Sequence, residues 1–389
     1  MSDNEEILVI GGGIGGMTAA LALARQGRSV LLAEQAPEFG EVGAGLQVGP
    51  NVMRMFDQLG VIEPVRDIAF FPDNLILRDA LDSAELVRIP LDRKFRDRFG
   101  YPYATIHRAD LHAVLTAACA EHPQIRLRTN CKVVGVEQDE RGVRALTESG
   151  EELAGTALIG ADGLWSTVRE HVLGDGEPRV TGHVAYRAVL PMEEVPEHLR
   201  SNSVVLWAGP DLHLAHYPLR RGELFNMGAI FHSHRYQRGA NVFGDPEELH
   251  EQFKGVCGEV ETLLGKIDEW RMWVLRDRDP VEHWSKGRIT LLGDAAHPTL
   301  QYLAQGAGMA VEDAWTLAAQ LDSAPDVPSA LREYERLRSV RTARVTLLSR
   351  LYGELYHASG VTRAVRAQML EGWPAAAARE SFAWIYNGI

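Results

Sequence analysis

Residues 7–34 have the sequence ILVIGGGIGGMTAALALARQGRSVLLAE, which decides the fold. The apolar run Ile7–Ile10 predicts a buried strand, and the alanines and leucines within Met17–Gln26 recur at helical spacing. A second apolar run, Ser29–Ala33, predicts another strand that ends at Glu34. Strand, glycine-rich turn, helix, strand and acid, in this order, form the pattern of a dinucleotide-binding unit. The sequence therefore predicts an α/β protein with a Rossmann-like domain.

The glycines between the first strand and the helix have separate predicted tasks. Gly11 permits the tight turn, Gly13 lets a pyrophosphate approach the backbone, and Gly16 lets the helix pack closely on the strand. Glu34 is placed to accept hydrogen bonds from ribose hydroxyls, and its charge would repel a 2′-phosphate. A purely structural glycine turn is the alternative, and the surrounding pattern argues against it. These residues leave open whether the dinucleotide is FAD or NAD.

Two further acids directly follow apolar runs. Asp162 follows Ala157–Gly160 within a Gly-Ala-Asp-Gly sequence, and a helix carrying Arg169 is predicted after it. Asp294 follows the predicted strand Ile289–Leu292. A carboxylate fixed at a strand end, opposite a glycine-rich helix start, is suited to hold a large polar cofactor.

Two predicted helix starts carry further information. Gly306 and Gly308 lead into a helix predicted to start near Met309, whose free N–H groups would face the cofactor with a partial positive charge. Arg108 stands at the start of another predicted helix, where a cation is unfavourable unless it faces an anion. The alternative is an ordinary surface arginine.

Composition excludes several classes of function. The net charge of −13 argues against nucleic acid, whose phosphates require a basic face. The three cysteines have no metal-ligand spacing, and the histidines form no metal-binding pattern, so we expect no metal and a reducing compartment. No apolar run reaches the roughly 20 residues that span a membrane, and acidic residues rather than a signal peptide precede Ile7. A cytoplasmic protein is expected.

Residues 179–279 differ in pattern from the rest of the chain. Apolar runs predict one antiparallel sheet with strands at 185–190, 203–207, 213–218, 224–231 and 270–275, and a helix over 246–258. Such a sheet suits a substrate lid. His213 and Tyr217 lie four residues apart on one strand and therefore share a face, whereas His216 points the other way. The predicted domains are a discontinuous dinucleotide-binding domain (1–72, 100–178 and 280–345), a substrate-binding β-sheet domain (73–99 and 179–279) and a C-terminal helical segment (346–389).

Three other segments complete the prediction. The glycine-dense segment 38–51 is interpreted as a packed loop whose backbone passes close to another group. The arginine-rich segment 330–348 predicts a long helix with a solvated basic face. The tail 376–389 carries Trp384 and Tyr386, so it is expected to pack onto the body.

Three motifs stand in a fixed order: Gly11–Gly16, Gly160–Gly163 with Arg169, and Gly293-Asp294. Together they resemble the flavoprotein aromatic monooxygenases, the family of para-hydroxybenzoate hydroxylase and salicylate hydroxylase. The resemblance covers nearly the whole chain and implies the fold of that family. It also implies tightly bound FAD, NADH as a transient co-substrate with NADPH left open, O2, and a small aromatic acid as substrate in aromatic catabolism. A homodimer is left open.

The resemblance implies a role for each motif residue. The glycine turn and Glu34 would hold the ADP half of FAD, Arg108 its phosphate and ribityl region, and the Val134 backbone its adenine. Asp162 would serve both FAD and NAD(P)H, and Asp294 would bind a ribityl hydroxyl. The complete implied FAD set is Gly11, Gly13, Ile14, Gly15, Gly16, Glu34, Gln35, Gly45, Gln47, Arg108, Val134, Asp162, Asp294, Gly306, Gly308, Met309 and Ala310.

Three longer stretches are similar to the 3-hydroxybenzoate 6-hydroxylase branch: EFGEVGAGLQVGPN (38–51), the predicted strand His213–Leu219 and LLGDAAHPTLQYLAQGA (291–307). Most family members carry a second proline over the flavin, and here Gln301 stands at or next to that place. The resemblance implies that His213, Tyr217 and Gln301 line the substrate pocket. It implies 6-hydroxylation of 3-hydroxybenzoate to 2,5-dihydroxybenzoate through a C4a-hydroperoxyflavin. His213, with a pKa near ~6.5, is the expected base, and a merely packed histidine is the alternative.

Other functions are left open at this point. Salicylate or a hydroxylated nicotinate could be the substrate of a related hydroxylase. A flavin-dependent reductase or halogenase would make no hydroxylated product, although the Trp-x-Trp-x-x-Ile pattern usual in halogenases is absent. A non-enzymatic NAD-binding module would not need Gly293-Asp294.

Overall fold

The computed structural model describes residues 6–40, 43–235 and 243–389. The strands are β1 Ile7–Ile10, β2 Val30–Ala33, β3 Gly45–Val48, β4 Asn74–Asp79, β5 Glu85–Pro90, β6 Ala104–His107, β7 Ile125–Arg128, β8 Val133–Gln138, β9 Val143–Thr147, β10 Glu152–Gly155, β11 Ala157–Gly160, β12 Arg179–Pro191, β13 Ser203–Gly209, β14 Leu212–Leu219, β15 Leu224–His232, β16 Arg271–Asp277, β17 Ser285–Lys286 and β18 Ile289–Leu291. The helices are α1 Ile14–Arg25, α2 Pro50–Gln58, α3 Ile62–Ile68, α4 Arg93–Phe99, α5 Arg108–Glu121, α6 Thr167–Val172, α7 Pro246–Gln252, α8 Gly258–Leu264, α9 Gly306–Ser323, α10 Val327–Tyr356, α11 Gly360–Leu370, α12 Ala375–Ser381 and α13 Ala383–Tyr386.

The central sheet has the strand order β17-β18-β11-β1-β2-β7 and is parallel except for β17. Strands β1, β2 and β11 are buried at every residue, as expected when helices cover both faces of a parallel sheet. The carboxyl ends of β1, β2, β11 and β18 meet at one edge. The three sequence motifs lie at this edge, because each of them follows one of these strands.

The second large sheet has seven strands in the order β16-β12-β15-β14-β13-β4-β5. The five strands predicted within 185–275 pair antiparallel to one another, as predicted. β4 adds to this sheet and pairs with β13 in parallel. The predicted single helix over 246–258 is two helices, α7 and α8. One face of the sheet packs on these helices in an apolar core that includes Trp270.

The glycine-dense segment 38–51, predicted as a loop, contains strand β3, which pairs with β6; residues 41 and 42 fall outside the described residues. Asn226 of β15 accepts a hydrogen bond from the backbone N–H of Gly45 through its Oδ1, at 2.8 Å. Thr105 of β6 donates to the carbonyl oxygen of Pro218 at 2.6 Å. These two bonds connect the short β3–β6 sheet to the seven-stranded sheet.

The basic face of helix α10 was predicted to be solvated, but part of it is buried. Arg338 is fully buried and lies 2.7 Å from Asp313 and 2.9 Å from Glu312 of α9. Arg341 binds Glu312 at 2.7 Å. The prediction is wrong for these two arginines because α10 packs along α9, which presents two buried carboxylates; only the outer arginines, such as Arg336, face solvent.

The C-terminal segment packs onto the body, as predicted. Tyr386 of α13 is buried and makes edge contacts with Phe95 and Phe99 of α4. In the described ranges, no helix is both long and apolar enough to cross a membrane.

Replacing Arg338 with methionine tests the buried charge network. The change leaves the carboxylates of Glu312 and Asp313 buried without their shared cation, so we expect a loss of about 3–5 kcal/mol in the free energy of unfolding. Arg336→Met, on the exposed side of the same helix, is the matched control and should stay within about 0.5 kcal/mol. Urea denaturation at pH 7 measures both. An equal loss of unfolding free energy in both variants would show that the buried charge network does not stabilise the fold.

Candidate active site

One cavity of about 990 Å³ lies between the carboxyl edge of the central sheet and the open face of the seven-stranded sheet. This volume is at the upper end of the ~300–1,000 Å³ typical of small-molecule sites. The cavity brings together most of the predicted site residues: Gly11, Gly13, Ile14, Gly15, Glu34, Gln35, Gly45, Gln47, Arg108, Asp162, His213, Tyr217, Asp294, Gln301, Gly306 and Ala310.

Four predicted FAD residues do not line the cavity: Gly16, Val134, Gly308 and Met309. Val134 is half-exposed, and its neighbour Val133 lines the cavity instead. Helix α9 begins at Gly306, three residues before the predicted start near Met309, so Met309 is turned into the core.

The glycine turn after β1 admits no side chains at two positions. Gly11 has φ +108°, and a Cβ there would lie 2.3 Å from the carbonyl oxygen of Ala161. A Cβ on Gly16 would lie 1.9 Å from the carbonyl oxygen of Gly11. Gly16 therefore serves the packing of helix on strand, as predicted. Helix α1 begins at Ile14 with no side-chain cap, and its first residues line the cavity, so its free N–H groups are available to a phosphate.

Glu34 braces the turn. Its Oε2 accepts a hydrogen bond from the backbone N–H of Gly12 at 2.7 Å, and its Oε1 accepts one from Ala36 at 2.8 Å. Each carboxylate oxygen retains a second lone pair, so the side chain can still accept from ribose hydroxyls.

Asp162 links the second motif to helix α6. Its carboxylate accepts hydrogen bonds from the hydroxyl of Ser166 and from the backbone N–H of Val168. Burial raises the pKa of Asp162, and these two bonds oppose the rise. Arg169 of the same helix is buried and donates to the carbonyl oxygens of Ala295 and Ala296 at 2.8 and 2.7 Å. The second and third motifs are thereby tied together.

The third motif is held by Asp313 of α9. The Oδ2 of Asp313 accepts from the backbone N–H of Gly293 at 3.0 Å and lies 2.6 Å from Nε2 of His297. Burial alone would raise the pKa of Asp313, but His297 and Arg338 hold it below its ordinary value. Asp294 is exposed to the cavity beside the uncapped N-terminus of α9, where Gly306 lies.

The seven-stranded sheet forms the floor of the cavity. Arg187 of β12, Gly228 of β15 and Ala215 of β14 are neighbours in register, and all three line the cavity. His213 and Tyr217 flank Ala215 on the same face, as predicted. His216 points into the opposite core, also as predicted, where burial lowers its pKa to about 3. The small side chains at the centre leave space for a flat ring.

Arg187 is a site residue that was not predicted from the sequence. Burial lowers the pKa of its guanidinium, with Tyr217 opposing the shift. Gln301 accepts a hydrogen bond from the Nη2 of Arg187 through its Oε1. A charged residue in the middle of the otherwise apolar run 184–190 was the available signal, because such a residue needs an anion or a polar cavity.

His213 is buried and its Nδ1 lies 2.7 Å from Nε2 of His357. Burial, together with the nearby His357 and His183, lowers the pKa of His213 well below its ordinary value. The expected pKa near 6.5 is therefore wrong, although the ring is neutral at pH 7 as a base requires. Tyr217 lies beside Gly45, and burial raises its pKa to about 12, so its hydroxyl stays protonated.

The cavity fits a flavin dinucleotide. Two uncapped helix N-termini, of α1 and α9, face it from different sides, and acids stand at both ends in Glu34 and Asp294. The turn at Gly11 packs too closely on Ala161 to admit a side chain, and the backbone of the glycine turn lines the cavity, where it can meet a phosphate. Among the described residues, no group of three or more histidine, cysteine or acidic side chains is arranged to hold a metal.

Residues 4–349 match the family model described as "FAD binding domain". The chain belongs to this FAD-binding family. It is 46% identical to the 3-hydroxybenzoate 6-hydroxylase of Polaromonas naphthalenivorans over all of this chain and 98% of that one. It is 44% identical to 3-hydroxybenzoate 6-hydroxylase 1 of Aquipseudomonas alcaligenes over 99% of this chain and 98% of that one. A salicylate hydroxylase substrate complex superposes with TM-score 0.84, at 27% identity over 100% and 96% of the two chains.

These similarities confirm the predicted fold class, the FAD cofactor and the FAD-dependent aromatic-ring monooxygenase class for this flavoprotein. The separate roles assigned to site residues, and the domain boundaries, stay predictions.

Gly11→Ala tests the glycine turn of the flavoprotein. The added Cβ would meet the Ala161 carbonyl, so the turn must shift and we expect most of the FAD to be lost on purification. Gly100→Ala is the matched control, because Gly100 also has positive φ, at +81°, but has open space around its Cβ position. The control should cost about 1–2 kcal/mol and keep its FAD. The ratio of flavin to protein absorbance measures both. Full flavin content in Gly11→Ala would contradict the assignment.

Proposed function

We propose that this flavoprotein hydroxylates 3-hydroxybenzoate at C6, with NADH as electron donor and O2 as oxygen source, and releases 2,5-dihydroxybenzoate. The observation that carries the proposal is a partly buried cation, Arg187, facing a neutral histidine, His213, across a floor of small residues in the cavity. The shared name of two full-length relatives supports the same reaction.

The geometry suits a small hydroxylated aromatic acid. Arg187 and Ala215 are separated by one strand, so their backbones are about 10 Å apart at ~4.8 Å per strand. A benzoate ring above Gly228 can place its carboxylate at Arg187 and its hydroxyl toward His213. A partly buried cation inside a cavity gains from such an anion because the bound ring shields the pair from water. Gln301 holds the guanidinium in place for this contact.

His213 is proposed as the base for the phenol. A phenolate donates electrons to the carbon para to it, and C6 is para to the hydroxyl at C3, which explains attack at C6. A well-placed base contributes about 10²–10⁴ in rate. Tyr217 keeps its proton at neutral pH and so can donate a hydrogen bond to the substrate or the cofactor.

When bound, FAD supplies the electron transfer from NADH to O2 and the delivery of one oxygen atom to the ring. The protein contributes the uncapped N-terminus of α9, whose partial positive charge stabilises an anion beside Gly306. Apolar side chains such as Leu75, Val204 and Leu206 line the substrate side and exclude water. NADPH as an alternative donor, a homodimer and a cytoplasmic location stay predictions.

The alternative is hydroxylation of salicylate, which the similarity to a salicylate hydroxylase favours. Salicylate also has a phenol and a carboxylate, but they are adjacent on the ring. The two groups of salicylate are therefore closer together than those of 3-hydroxybenzoate. This makes it harder for one salicylate molecule to reach both Arg187 and His213.

A panel of NADH-oxidation assays with product analysis separates these functions. We expect 3-hydroxybenzoate to give 2,5-dihydroxybenzoate that carries one oxygen atom from labelled O2. Salicylate converted to a hydroxylated product at a higher kcat/KM would favour the alternative. NADH oxidation that yields only hydrogen peroxide with every acid, a hydroxylated nicotinate included, would indicate a non-hydroxylating reductase.

Arg187→Met tests the carboxylate contact. Loss of a charge-assisted bond of about 1.5–3 kcal/mol should raise KM for 3-hydroxybenzoate about 10–100-fold. KM for 3-hydroxybenzyl alcohol, which has no carboxylate, should change little. Arg271→Met is the matched control, because Arg271 pairs with Arg187 on the next strand but is exposed outside the cavity. An equal rise in KM for the acid and the alcohol would remove Arg187 from this role.

A further inference from the structure

The base role of His213 raises the question of where the proton goes. Burial and the neighbouring histidines disfavour a charge on this ring, so the ring cannot keep a proton taken from the substrate. His213 lies deep in the protein, with 3% of its surface exposed. A proton removed from the phenol must therefore leave through other groups.

Four more histidines continue from His213 to the surface. After the 2.7 Å contact between His213 and His357, the ring centroids of His357 and His183 are 4.9 Å apart. Those of His183 and His232 are 5.6 Å apart, and those of His232 and His234 are 4.8 Å apart. Exposure increases along this histidine chain: the first two rings are buried, the next two are half-buried, and His234 is exposed.

We propose that the histidine chain His213-His357-His183-His232-His234 carries the substrate proton between the hydroxylation site and bulk water. The inference rests on the proposed function and extends it to residues outside the cavity, since neither His357 nor His183 lines it. His357 and His183 do not touch the substrate; they act through His213 by passing on the proton that it takes up.

The transfer balances in atoms and charge. The phenol O–H bond breaks, its electron pair stays on the oxygen, and the proton binds Nε2 of His213. Nδ1 of His213 releases its own proton to Nε2 of His357, and each later ring accepts a proton on one nitrogen and releases one from the other. One proton reaches water for each phenolate formed, with no electron transfer. A proton that moves from water back toward His213 returns each ring to its starting tautomer. A single water can bridge ring nitrogens where the rings are not in direct contact.

The surroundings of the histidine chain favour transfer of a proton along the rings over its retention on any one of them. Burial lowers the pKa of His357 to about 3 and also lowers the pKa of His183, so a proton does not rest on either ring. Asp211 near His183 opposes that shift and eases the transient charge. The hydroxyl of Tyr302, which lines the cavity, lies 2.8 Å from Nδ1 of His183 and offers a second entry to the chain.

The contacts within the histidine chain argue against a metal site and against simple aromatic packing. No suitable group of metal ligands exists in the described part of the chain. Aromatic packing does not require the nitrogen-to-nitrogen contact between His213 and His357. His216, on the same strand as His213, shows what a packed histidine looks like here: it stacks on Trp207 on the far side of the sheet.

The test measures proton release without turnover. Oxidised, FAD-loaded enzyme is mixed with 3-hydroxybenzoate in weak buffer with a pH indicator and no NADH, and the flavin spectrum reports binding separately. Wild type should release about one proton per site. In His183→Gln, the release should slow at least about tenfold while the dissociation constant and the amount released stay unchanged. His213→Ala should bind the acid without fast release.

His232→Gln, at a half-buried position, is the second variant and should slow release in the same way. In His183→Gly, added imidazole should restore the rate, which a structural role would not allow. His216→Gln is the matched control and should release protons at the wild-type rate.

Three outcomes overturn the proposal. Wild-type release rates in both His183→Gln and His232→Gln would exclude the chain as the route. Binding by the wild-type enzyme with no proton released would overturn the histidine chain alone. No change in the flavin spectrum with 3-hydroxybenzoate would overturn the proposed function and the chain with it.

Discussion

The geometry of the cavity depends on the contacts that the buried carboxylate of Asp313 makes. It binds the backbone N–H of Gly293, the imidazole of His297 and the guanidinium of Arg338, all of them buried. These bonds fix the turn after β18 against α9, whose N-terminus opens into the cavity. The acid Asp294 and the positive end of a helix therefore keep a constant separation. A cofactor with an extended polar chain needs such a fixed frame, because a site that is loose by 1 Å loses much of its catalytic advantage.

A second constraint comes from charge inside the substrate half of the cavity. Arg187 is a partly buried cation that lines the cavity, whereas His213 is kept neutral by its surroundings. In the proposed reaction, an anionic ring pairs with Arg187 and its hydroxyl proton leaves through His213. The sheet provides both from one face, because alternate residues of β14 and a neighbour two strands away point into the same space. In that proposed reaction, the register of these strands sets both the choice of substrate and the removal of its proton.

The sequence predicts the parts of the site that are local. Gly11 and Glu34 follow from the pattern of a single strand–helix–strand unit, so their positions need no tertiary information. Arg187 was missed although a charge inside an apolar run was visible. The contact of His213 with His357 joins residues 144 positions apart, and no local period reports it. Arg338 was assigned to solvent because a basic helix face is usually exposed; only its packing against the acids of α9 makes it buried.

A crystal structure of the FAD-loaded enzyme with 3-hydroxybenzoate would show directly how the substrate is held. We expect its carboxylate to pair with the guanidinium of Arg187 and its phenol oxygen to lie within hydrogen-bond distance of Nε2 of His213, with the ring above Gly228. We also expect C6 to be the ring carbon nearest the reactive edge of the flavin. A ring turned so that the carboxylate faces His213, or a substrate bound away from Arg187, would contradict the proposed reaction geometry.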